Sequence, residues 1–142
     1  MASVAARRYR ELIVWQLATE FRREVLRLIR QSPLAERDFK FRDQLFSSAR
    51  GISKHIAEGF LRFSPHELKR FLGFAISSLG EAEDWLHDGI ESGYYTHAEC
   101  QPAFRFAKRL MKGMVKLKQA QDRYIGGKGT TPSPSDEPPQ GR

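Results

Sequence analysis

Two residue pairs in this sequence have the spacing of metal ligands. Asp84 and His87 lie three apart, and so, in reverse order, do His55 and Glu58. A di-iron or di-manganese centre in a helical bundle takes a Glu from each of two helices and a Glu-x-x-His from each of the other two. Here the acid-x-x-His order occurs once, and no carboxylate stands between Glu99 and Asp122. The ligand requirement is not met, and no metal is expected. Of the four histidines, His66, His87 and His97 are scattered among helices and caps, and His55 reads as a hydrogen-bonded core residue. Cys100 is the sole cysteine, so no intramolecular disulfide forms, which fits a reducing compartment. It has no neighbouring base to make it a nucleophile. There is no phosphate-cradling glycine loop and no Ser-His-Asp order. No enzymatic activity and no cofactor are expected.

Charge is the stronger chemical signal. Lys and Arg number 24 against 17 Asp and Glu, for a net charge of +7. The excess is uneven. Residues 1–30 hold seven Arg and three Glu; residues 31–104 hold eight basic and eleven acidic residues; residues 105–124 hold seven basic residues and one Asp. At about 100° per residue, Arg105, Lys108, Arg109, Lys112 and Lys116 project away from the apolar stripe of their helix. Arg23, Arg27 and Arg30 do the same on the first helix. Residues 81–99 carry six acidic residues and no Lys or Arg. Two readings follow. In one, the basic helix meets the acidic segment within or between subunits. In the other, it binds an anion, for which nucleic acid, RNA or DNA, is the expected partner, held through phosphates. A membrane role is not expected, because the basic helices lack an exposed aromatic face and the longest apolar run, FLGFAISSLG, is too short to span a bilayer. The first residues lack the apolar stretch of a signal peptide. A soluble, cytoplasmic protein is expected.

Four helices must position these residues. Val14, Ala18, Phe21, Val25 and Leu28 mark a first helix over about 10–30, ended by Ser32 and Pro33. Phe41, Leu45, Ser48, Ile52 and His55 mark a second over about 38–58, with Gly59 at its left-handed C-cap. Ser64, Pro65 and Glu67 form a capping box that opens a third helix, striped by Leu68, Leu72, Ala75, Leu79, Ala82 and Leu86 and closed near Gly93. Thr96 and Glu99 form a second box. The fourth helix follows, striped by Ala103, Ala107, Leu110, Met114, Leu117, Gln121 and Tyr124. Pro102 either bends it or leaves a short turn before a start near Gln101. Short connections favour antiparallel neighbours, so the fold class is all-α, an up-down-up-down four-helix bundle over residues 1–125. Residues 126–142, rich in Gly, Pro, Ser and Thr, read as a disordered tail. Glu58 and Arg62 read as a latch across the turn between the second and third helices. Phe60 and Phe63 either cover the end of the core or face another subunit.

The segments VWQLA, RDQLFSSARGISKHIAEGFLR and ELKRFLGFAISSLGEAEDWL resemble the four-helix-bundle proteins encoded in intervening sequences of bacterial 23S ribosomal RNA genes. Gln44, residues 56–59, Arg62, Ser64 and residues 78–81 occupy the places of the family pattern, over about residues 12–117. The family's Ser-Ile-Pro-Ala-Asn is replaced here by GISKH, residues 51–55, which brings in Lys54 and His55. The resemblance implies a bundle that assembles as a ring-like homopentamer, without enzymatic activity. Proteins related in fold serve as accessory factors of diversity-generating retroelements, where they bind nucleic acid and associate with a reverse transcriptase. The expected function is therefore a nucleic-acid-binding accessory protein. The alternative is a protein-interaction scaffold, with a polymerase or a ribosomal component as partner.

Overall fold

The computed structural model of the protein describes residues 6–126. A 3-10 turn, Tyr9–Glu11, leads into helix α1, Ile13–Gln31. A short helix α2, Pro33–Arg37, precedes α3, Phe39–Leu61; α4, Pro65–Glu91, and α5, His97–Ile125, complete the chain order. No strand occurs among the described residues. The expected disordered tail lies outside them, apart from Gly126, whose N–H donates to the Asp122 carbonyl (2.9 Å) at the end of α5.

The apolar stripes become the core. Val14, Ala18, Phe21, Val25 and Leu28 of α1 are buried, as are Leu72, Ala75, Leu79, Ala82 and Leu86 of α4. Each fully buried Leu or Phe contributes about 1.5–3 kcal/mol relative to exposure. The long helices form a closed square in which each packs against two neighbours: α1 on α3 and α5, and α4 on α3 and α5. All neighbours are antiparallel. Gln31, at the end of α1, donates to Glu99 at the start of α5 (3.3 Å), and Lys69, early in α4, pairs with Asp122 late in α5 (2.6 Å). Phe41 near the start of α3 meets Trp85 near the end of α4, ring centroids 5.9 Å apart.

Several local readings need correction. Ser32 and Pro33 end α1, but they also start a helix. The Ser32 hydroxyl accepts from Ala35 N–H (3.2 Å), and Pro33 takes the first helical position. Gly59 is not a left-handed cap; α3 continues to Leu61. The left-handed residue is Phe63, with φ 53°. Gly59 is instead a place of close approach, since a Cβ on it would lie 2.7 Å from Phe71 Cβ. The box at Ser64 is half formed: its hydroxyl accepts from Glu67 N–H (3.4 Å), while the Glu67 carboxylate turns to Arg62 and Arg70. The box at Thr96 is complete, and α5 runs from His97 as one helix through Pro102. His55 is half-buried, its ring beside Phe71 and Phe74, and it finds no hydrogen-bond partner among the described residues.

Gly93 closes α4 as expected. Its φ of 81° needs no Cβ penalty, and the next N–H, of Tyr94, donates back to Gly89 (2.8 Å). The Tyr94 hydroxyl donates to Asp38 (2.6 Å), the residue whose other carboxylate oxygen caps α3. Those two hydrogen bonds hold the Asp38 carboxyl below its ordinary range.

Candidate nucleic-acid interface

α5 turns Ala103, Ala107, Leu110 and Met114 into the core. The opposite side carries Arg105, Lys108, Arg109, Lys112 and Lys116, all exposed. None of the five forms an ion pair among the described residues. The reason is local. A carboxylate three or four residues away would close on each cation, and over 101–120 the helix has none. The acidic segment does not fill the gap either: Glu81, Asp84, Asp88 and Glu91 form no ion pair with α5 among the described residues.

The arginines expected to join this surface from α1 are exposed too, but two of them are paired. Arg23 pairs with Glu20 (2.6 Å) and Arg27 with Glu24 (2.8 Å), each one helical turn away. Arg27 also donates to Gln31 (2.9 Å). Arg30 is exposed and carries no ion pair among the described residues. Two of the four arginines of α1 are thus closed by glutamates of the same helix, whereas the five cations on the outer face of α5 are all open.

The turn between α3 and α4 holds its cation most tightly. Arg62 reaches Glu58 (2.9 Å) and Glu67 (3.5 Å), one on each helix, and its guanidinium lies 5.1 Å from the Phe71 ring centre. Glu67 also takes Arg70 (3.2 Å), which lies over both Phe71 and Phe74. Glu58, Gly59, Arg62, Ser64 and Glu67 thus form one structural unit, with Gly59 setting the helix separation and the ions bridging its rim.

Sequence reasoning missed an aromatic cluster beside the basic face. His87 of α4 stacks on Phe104 of α5, centroids 4.9 Å apart and planes 21° from parallel. His97 leans over the same ring at 5.5 Å and exchanges a hydrogen bond with Gln101 (2.9 Å). These rings sit in an open cleft of about 600 Å³ with Ala107 and Met111, edged by Glu83, Lys108 and Lys112. Burial raises the half-buried Glu83 carboxyl above its ordinary range, partly offset by His87. The pairing was available in part in the sequence: positions 87 and 104 both lie within about two turns of the α4–α5 connection, so an antiparallel hairpin brings them to the same end of the bundle.

Cys100 is buried, and desolvation pushes its thiol up to about 11, so it stays protonated at neutral pH. Among the described residues, no group of three or more His, Cys, Asp or Glu side chains is placed to share a metal ion. No helix among them is long and apolar enough to cross a membrane.

Comparison with known proteins agrees with this architecture. A search of curated proteins found no match. The family model described as 23S rRNA-intervening sequence protein matches residues 10–116, which include α1 to α4 and most of α5 with its basic face. The chain therefore belongs to the 23S rRNA-intervening sequence protein family.

Proposed function

We propose that this protein is a non-enzymatic accessory factor that binds RNA or DNA in the cytoplasm, through phosphates laid along the outer face of α5. The observation that carries the reading is the set of five exposed cations on one helix face without a carboxylate partner among the described residues. Such cations take the place of the counterions condensed along a polyanion, and the release of those counterions drives association. Arg30 extends the surface; Arg23 and Arg27 contribute less, being already paired. A ring-like homo-oligomer, with five subunits as the family resemblance implies, would repeat this face and raise avidity without new contacts. A reverse transcriptase or a ribosomal component is the protein partner such a factor would serve. The test is a titration of short RNA and DNA against salt, with light scattering on the same samples. Weak dependence on sequence and steep loss of affinity with salt are expected; absence of binding at low salt overturns the reading.

A second reading, a scaffold for protein partners, rests on Phe63. An exposed phenylalanine held at φ 53° is costly twice, in backbone strain and in apolar exposure. Leu61 is exposed beside it. If Phe63→Gly stabilises the subunit but weakens assembly or partner capture, this end of the bundle is an interface.

A further inference from the structure

We infer that the cleft between α4 and α5 seats an unpaired nucleobase, so that the protein prefers single strands to duplexes. The inference rests on the phosphate-binding reading of α5 and adds a second kind of contact to it. Three rings from two helices already cluster there: His87 stacks on Phe104, His97 leans against the same ring with its plane tilted by 39°, and both histidines are exposed. A further planar ring continues such a stack at little cost, and every base has a face to offer. The floor beside the rings, Ala107 and Met111, is apolar.

Charge fixes the direction of entry. Glu83 is half-buried on the α4 side of the cleft, whereas Lys108 and Lys112 stand exposed at its edge. A phosphate is repelled by Glu83 and drawn to the lysines. The backbone therefore runs along the rim, in line with Arg105, Arg109 and Lys116, and the base turns inward. Duplex DNA or RNA cannot do this without unstacking a base, so it binds by the rim alone. The cleft volume of about 600 Å³ leaves room for a nucleobase and its sugar.

The experiment compares a short single-stranded oligonucleotide bearing 2-aminopurine, the same sequence as a duplex, and inorganic polyphosphate. Wild-type protein should bind the single strand more tightly than the duplex and change the 2-aminopurine emission. Phe104→Ala should lose about tenfold or more in single-strand affinity. The slope of log affinity against log salt should stay unchanged, because no phosphate contact is removed. Since Phe104 also packs on the core, the exposed pair His87→Ala with His97→Ala gives the same test without touching buried packing. Phe104→Tyr should retain affinity.

Equal affinity for single strand and duplex overturns the inference while leaving the α5 reading intact. So does polyphosphate competing as well as the single strand at equal charge, or full single-strand affinity in both the Phe104 and the histidine variants. If wild-type protein binds neither single strand nor duplex, both readings fall.

Discussion

Arginines at the α3–α4 turn and on the outer face of α5 live in opposite surroundings. Arg62 has a carboxylate on each side and an aromatic ring beneath it. Arg105 and Arg109 have no ion-pair partner among the described residues. α1 lies between these extremes, with two of its arginines each closed by a glutamate one turn away. A net charge of +7 describes all of these regions equally and distinguishes none. What separates them is whether a cation's counter-charge is built into the chain. Where it is, the cation is paired within its own helix, as at Arg23 and Arg27, or across a turn, as at Arg62; where it is not, the counter-charge must come from outside.

The largest effect should follow from emptying the open face. Replacing Arg105, Arg109, Lys112 and Lys116 together by Gln should abolish binding at moderate salt, and the salt slope should fall by about 0.7 on a single strand, or about 0.9 on duplex DNA, for each cation that meets a phosphate. The melting temperature should hardly move, because all four are exposed. Arg23→Gln with Arg27→Gln should leave the slope nearly unchanged. If the two sets behave alike, the contrast between open and closed cations is wrong. If the quadruple variant loses assembly, α5 is a subunit interface.

Gly59→Ala tests the other region. The added methyl must displace Phe71 Cβ, which is anchored to the backbone of α4. A loss of about 1–3 kcal/mol in unfolding free energy is expected, read by denaturant titration. Binding per folded molecule should be untouched. Arg62→Gln should cost less, about 1 kcal/mol or under, since its ion pairs are half exposed. A larger loss would mean that the guanidinium's contact with Phe71 carries more than the ions do.

The smallest effects sharpen the contrast at single groups. Glu20→Gln with Glu24→Gln releases Arg23 and Arg27, and should raise affinity for a polyanion a few-fold at low salt, as measured by anisotropy. Glu83→Gln bears on pH. A carboxyl held above its ordinary range by burial costs stability wherever it is ionised in the folded state. That cost is full above the folded value and disappears as pH falls below the unfolded value, near the ordinary 4.5. The variant should therefore melt higher than wild type at neutral pH, with the gap closing on acidification.

The four long helices were legible in the sequence because 3-4 spacing survives any surroundings: the inward residues of α1 and α4 were readable one by one, and nearly all are buried. What escaped depends on residues far apart in the chain. Ser32-Pro33 punctuates a helix end and a helix start equally well, and α2 is too short to show a period. Gly59 carries the same letter whether it caps a helix or admits Phe71; only the position of α4 decides. Glu67 could have completed its box, but Arg62 and Arg70 compete for its carboxylate. On the basic surface, residue types were readable and pairing was not. The glutamates that close α1 stand three residues before their arginines, a pairing that a total charge does not express.

The closed square of helices also orders events in time. Three residues join α3 to α4 and five join α4 to α5, so these hairpins form with little loss of chain entropy. The seam between α1 and α5 joins opposite ends of the described chain, and its contacts are the least local in the bundle. The seam should therefore close last on folding and open first on unfolding. Truncating Leu79 should slow folding, while truncating Val14 at the seam should chiefly speed unfolding. Stopped-flow kinetics of the two variants would show it. A protein built this way can shed α1 briefly and keep its central hairpin, so the helix bearing the open charges is also the one whose cover is soonest lost.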